Sequence, residues 1–215
     1  MVQSSTVLDK SIIIGAHKIL RGALLIVLAT VLFASNSSRS AAGHVDGRLH
    51  VAGARISDSN DREVWLRGIN VDVRNTRQSG ESDIAWIASK GFNCIRAIVF
   101  PDSDGPDMRW QRIDNIVNWS EKYGLYVVIA LMEDRISNYF GGVGGLPSRF
   151  FAGYNHANWT GALMDMHYGR WNRFVASDGA RLWDYIKWWW SQVAARYAGR
   201  TVIAGYDLEN EMYWP

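Results

Sequence analysis

Cysteine is nearly absent. Cys94 is the single one among 215 residues, so no internal disulfide can form. It lies inside an apolar run of strand character and reads as a small buried hydrophobe rather than a reactive thiol. An excess of one charge is also missing. The net charge is +2, and the surplus belongs to the first 42 residues, where Lys10, Lys18, Arg21 and Arg39 stand against Asp9 alone. The rest carries 19 basic and 20 acidic residues, so no patch argues for nucleic acid. The five histidines show no ligand spacing; no metal site and no cofactor is expected. Short-period repeats, linkers and low-complexity tracts are absent.

Long apolar runs are scarce too. The single extended one covers residues 23–34, Ala-Leu-Leu-Ile-Val-Leu-Ala-Thr-Val-Leu-Phe-Ala. Lys10, Lys18 and Arg21 precede it and small residues from Ser35 to Ala42 follow. That order is the signature of a secretory signal, and the run is short for a membrane span. Residues 1–42 are therefore expected to be a signal peptide or an N-terminal anchor with a small-residue spacer. The product is expected to be secreted, extracellular or periplasmic, with a membrane partner only if the leader stays uncleaved.

What remains, 43–215, is long enough for one domain with a real core. Apolar residues are 48% and charged residues 20% of the chain, a globular balance. Strand and helix signals alternate. Gly47 to Val64 reads as a hairpin or extended lead-in turning at Asp58-Ser59-Asn60-Asp61. Val64 to Asn70 is a first strand, Ser82 to Lys90 a helix ended by Gly91, and Phe92 to Phe100 a second strand closed by Pro101. Asp114 to Lys122 is a helix ended by Gly124, and Leu125 to Met132 a third strand. A long connection, Glu133 to about Asp178, carries Gly141-Gly142-Val143-Gly144-Gly145. It reads as a lid or as small helices. Ala180 to Ala198 is a helix with Leu182, Ile186, Trp189, Val193 and Tyr197 on its buried stripe. Val202 to Asn210 is a fourth strand. This is the rhythm of a parallel α/β sheet.

Four motifs in this order resemble glycoside hydrolase family 5, the cellulase-like clan of retaining glycosidases. They are Leu66-Arg67-Gly68-Ile69-Asn70, Lys90-Gly91-Phe92-Asn93-Cys94-Ile95-Arg96, Glu121 through Ile129, and Gly205-Tyr206-Asp207-Leu208-Glu209-Asn210-Glu211. The match runs from about Val64 to Glu211. The resemblance implies a (β/α)8 TIM barrel, here truncated to about its first four β/α units, that hydrolyses β-linked carbohydrate with retention. Glu211 matches the general acid/base, Asn210 the asparagine that binds the sugar 2-hydroxyl, and Arg96 the arginine that keeps the nucleophile ionised. The family's nucleophile glutamate comes from a seventh strand, so residues 43–215 are expected to be an N-terminal portion, inactive alone.

Two positions depart from the family pattern. Met212 stands where proline usually follows Asn-Glu. The third strand ends Ala130-Leu131-Met132-Glu133-Asp134, without the histidine that cellulase-like members place there. Further substrate-binding candidates are Asn70 and Glu133 at strand ends, and the indoles of Trp171 and Trp214 on loops, whose flat faces suit sugar rings; Trp159 is a third such indole. Most of the eleven tryptophans read as core or helix packing. Asp207 and Glu209 share the two-residue alternation of Glu211 and can point inward with it, Asp207 as a support of the barrel interior. A different class of reading is a non-catalytic carbohydrate-binding or self-assembling half-barrel.

Overall fold

The computed structural model describes residues 45, 47–74, 79–101, 106–132, 135–142 and 145–210, with the side chains of 106–109 excepted. The leader, residues 1–42, lies outside them, as do Glu133, Glu211 and Trp214. Four parallel strands form one sheet in the order β3-β4-β5-β6. They are β3 (Gly68–Asp72), β4 (Cys94–Val99), β5 (Tyr126–Leu131) and β6 (Ile203–Asp207). Helix α1 (Glu81–Ser89) joins β3 to β4 and α2 (Pro106–Lys122) joins β4 to β5. Between β5 and β6 the chain runs through α3 (Trp159–His167) and α4 (Leu182–Tyr197).

Alternation along each strand divides the sheet into two faces. Ile95, Ala97 and Val99 of β4 and Val127, Ile129 and Leu131 of β5 join the main core with Ile84 and Ile87 of α1, Ile113, Ile116 and Val117 of α2, and Trp189 and Val193 of α4. The other face carries a small separate cluster of Ile98, Phe100 and Ala130, with Met132 against it. The helix-covered face supplies the stability. The second face is left for polar side chains at the strand ends.

Local chemistry explains the boundaries. In α1, the Asp83 carboxylate accepts the N–H of Gly80 at 3.0 Å, and Glu81 with Asp83 places negative charge on the first turn. Helix α2 starts eight residues earlier than expected. Its fully buried stripe begins at Ile113, with Trp110 partly buried against the same core, while its first turns are mostly polar and open on Pro106, a residue suited to a helix start. The first strand also shifts, from 64–70 to Gly68–Asp72. Val64 N–H bonds Ile56 O at 2.8 Å, and Glu63 bridges Ser57, so this stretch belongs with the lead-in. Gly68 then opens the ladder opposite Cys94. A Cβ at Gly68 would lie 3.1 Å from the Cys94 carbonyl oxygen.

The lead-in is an antiparallel hairpin, β1 (His50–Ala52) with β2 (Arg55–Ser57). Its tight turn lies at Gly53 (φ 63°), not at Asp58 to Asp61. The latter is a second turn, in which the buried Asp58 accepts the N–H groups of Asn60 and Arg62 at 2.8 and 3.1 Å. Asp58 also helps burial to push the Tyr126 phenol upward, burial being the larger cause. The hairpin thus reaches the N-terminal end of β5 and leaves the C-terminal ends free.

The long connection is built rather than loose. Short 3-10 turns at Asn138–Phe140, Ser148–Phe151 and Trp171–Arg173 accompany α3. Phe140, Phe150, Phe151 and Phe174 are buried, and Tyr154 stacks on Phe174 at 5.4 Å. Asp165, 5% exposed, accepts Tyr154 Oη–H at 2.7 Å and the guanidinium groups of Arg170 and Arg173 at 2.9 and 2.8 Å. Gly145 holds φ 99°, and a Cβ there would meet the Ile136 carbonyl oxygen at 2.4 Å. That glycine permits a close backbone approach that no other residue allows.

Candidate active site

Arg96 lies on the second face of β4, in register with Val128 of β5 and Gly205 of β6. Asp207 stands two residues further along β6, opposite Ala130. A β-bulge puts it there. Val127 pairs with Ile203 but Val128 with Gly205, so Ala204 is an extra residue. A one-residue shift reverses every side chain beyond it. Were β6 regular, with Ala204 opposite Val128, Asp207 would face the helices.

The Arg96 side chain crosses β5 to reach its partners. Its Nε donates to Asp207 Oδ2 at 2.9 Å and its Nη2 to the same oxygen at 2.5 Å. Nη2 also donates to Asn210 Oδ1 at 2.6 Å. Ala130, the residue crossed, is small and fully buried, which leaves room for the guanidinium. Only the planar fork of arginine serves two acceptors in this way.

Asn210 is fixed from both sides. Its backbone N–H bonds Leu131 O at 3.1 Å. Its Nδ2 donates to Met132 Sδ at 3.1 Å. Met132 thus occupies the end of the third barrel strand where a histidine was missing from the motif. With Phe100 it gives the strand ends an apolar floor. At the neighbouring end of β3, Asp72 accepts the backbone N–H of Arg74 at 2.8 Å and its guanidinium Nη2 at 3.0 Å. The Arg74 guanidinium lies 3.2 Å from the Phe100 ring centroid. Asp72, Arg74 and Phe100 were not singled out in the sequence. The signal for them is their place at strand ends, which alternation alone does not rank.

The anticipated residues divide as follows. Arg96 and Asn210 come together. Asn70 is in register with Arg96 on the edge strand and exposed. Glu211, Glu133 and Trp214 lie outside the described residues. Trp171 goes elsewhere: it lines a cavity of about 400 Å³ with Leu131, Trp183, Trp190, Leu208 and Glu209, and its ring lies 5.0 Å from that of Trp183. Neither Arg96 nor Asn210 lines that cavity. Glu209 turns to it as well, because alternation no longer holds once β6 ends at Asp207. His156 stacks on Tyr139 at 4.0 Å, with Nδ1 2.6 Å from Tyr139 O; it is part of the lid's framework.

Parallel strands joined by helices, with a polar cluster at their C-terminal ends, define the (β/α) barrel class, whose reactions occur at that end. The sequence pattern of the cellulase family, glycosyl hydrolase family 5, matches residues 57–214. The chain belongs to that family. Among solved structures it is similar to a β-glucanase from Saccharophagus degradans (21% identity, TM-score 0.51, 77% of this chain and 42% of that one). It is similar also to endo-glycoceramidase II from Rhodococcus sp. (21% identity, TM-score 0.56, 72% and 42%). A third is the β-mannanase of the blue mussel Mytilus edulis (16% identity, TM-score 0.50, 78% and 46%). The chain spans less than half the length of each, and its four parallel strands are about the first half of a TIM barrel. No curated protein sequence matches it.

Proposed function

We propose that this chain contributes the first half of an exported retaining β-glycosidase. The observation that carries the reading is the bond from Arg96 Nη2 to Asn210 Oδ1 at the strand C-terminal ends. It holds Asn210 at the end of the barrel where such enzymes react. Glu211 is the general acid/base. A retaining enzyme pairs it with a second carboxylate about 5–5.5 Å away, supplied by a strand outside 43–215. Arg96 favours the ionised form of that nucleophile, and Asn210 donates to the sugar 2-hydroxyl. Burial beside a second carboxylate keeps Glu211 protonated until the leaving oxygen needs its proton. β-Linked glucan, β-mannan and a glycolipid headgroup are the substrate classes. Residues 1–42 direct export.

The test is a hydrolysis screen of the full reading frame containing this chain, wild type beside Glu211→Ala, on β-glucan, β-mannan and glycosylceramide. Cleavage of one substrate by the wild type, lost by at least about 10³-fold in Glu211→Ala, is expected. A second reading, a binding or self-assembling half-barrel, is favoured by β3 and β6 each having a strand partner on one side only among the described residues. Sugar binding without cleavage by that reading frame would select it.

A further inference from the structure

Sequence alternation gives Asp207 no role beyond supporting the barrel interior, yet it is the partner on which the cluster turns. Its Oδ2 accepts from both Nε and Nη2 of Arg96, and the same Nη2 donates to Asn210 Oδ1. An asparagine side chain can present either its oxygen or its nitrogen in a given direction. The Arg96 donor decides between the two, because only oxygen can accept from it. The Asn210 NH2 is thereby sent to the opposite side, where it meets the Met132 thioether. Sulfur of this kind is a weak acceptor, so the amide keeps donor capacity for a hydroxyl. The sheet does not need the ion pair to hold together, since β5 is hydrogen-bonded along its length to both β4 and β6.

We infer that Asp207 is a positioning residue: through Arg96 it fixes the orientation of the Asn210 amide, and so the recognition of the sugar 2-hydroxyl. The inference rests on the glycosidase reading above and adds to it a residue that touches neither substrate nor reacting atoms. The bulge at Ala204 has a purpose in this light, since it is what turns Asp207 to the same face as Arg96.

The experiment compares an aryl β-glycoside with its 2-deoxy counterpart on the full reading frame, as wild type, Asp207→Asn and Asp207→Glu. Misplacing a group by about 1 Å costs on the order of 100-fold in rate. Asp207→Asn should lower kcat about 10- to 100-fold on the parent glycoside, with KM changed by no more than a few-fold. Asp207→Glu should recover part of it. On the 2-deoxy substrate the loss should shrink to within about three-fold, because the contact being misplaced is already gone. Equal losses on both substrates mean that Asp207 supports the fold alone and overturn the inference. So does Asp207→Asn at wild-type rates. If Asp207→Asn fails to fold, the ratio between the two substrates for Asp207→Glu decides by the same rule. A wild type that cleaves neither glycoside sinks the glycosidase reading, and this inference with it.

Discussion

At the scale of single residues, ionic partners are chosen by reach and by face. Arg96 and Asn210 were legible because both stand inside recognisable motifs. The bond between them was not, since nothing in a sequence says that a guanidinium crosses a neighbouring strand. Asp207 and Glu209 look equivalent by alternation, yet one meets Arg96 and the other lines the tryptophan cavity. Asp165 is a second case. Three hydrogen-bond donors surround it in a segment that reads as a lid or as small helices. Burial alone would raise its carboxyl, but the bonds from Tyr154, Arg173 and Arg170 outweigh that and its pKa is lowered. A depressed folded-state pKa contributes stability above the unfolded value of about 3.9, which is lost as pH falls through the folded one. Asp165→Asn should therefore cost about 2–3 kcal/mol near pH 6.5. The difference from wild type should narrow below about pH 3.9. Denaturant unfolding at both pH values reads this. A gap that stays constant or widens in acid contradicts it.

At the scale of elements, the boundaries follow local bonds more than hydrophobic pattern. Helix α2 was underestimated because its first two turns are mostly polar, with Trp110 only partly buried against the core, and α3 because it is embedded in a loop-like composition. The strand β6 was placed well, yet its bulge was invisible: one extra residue leaves no compositional trace. Its consequence is testable. Inserting one alanine between Gly205 and Tyr206 should reverse Tyr206 and Asp207 between faces and strand the charge of Asp207 among the helices, whereas deleting Ala204 would only regularise the ladder and keep Asp207 opposite Ala130. A loss of about 3–5 kcal/mol is expected of the insertion, as for a buried charge left without its partner. Ala204→Ser, which preserves the residue count at a partly exposed site, should stay within about 0.5 kcal/mol. Chemical denaturation midpoints of the insertion variant and Ala204→Ser make the comparison, and equal midpoints would refute the register argument.

At the scale of the molecule, four parallel strands leave work undone. Tyr206 is 36%, Trp183 46% and Leu208 62% exposed. They lie on or near β6, whose outer side has no strand partner among the described residues, and an edge of that kind beside apolar surface invites association. The isolated 215-residue chain should self-associate in sedimentation velocity at tens of micromolar, about the range in which exposed strand edges aggregate. Ile69→Lys, which places a charge on the opposite edge strand, should reduce it. A stable monomer at those concentrations would contradict this. The barrel class was readable from the order of four motifs. The tryptophans were the least readable feature, because composition shows their number but not where each one packs. Trp171 consequently lies in the cavity beside Trp183 rather than with Arg96 and Asn210.

The central claim is double displacement at the strand C-terminal ends, with Glu211 as acid/base. Proton NMR of the anomeric signals during the first minutes of hydrolysis, by the full reading frame acting on a β-glycoside, tests it most directly. The account predicts that the β-anomer of the product appears first and mutarotates to α afterwards. An α-anomer formed first would mean inversion, and the assignment of roles built on Glu211, Arg96 and Asn210 would fall.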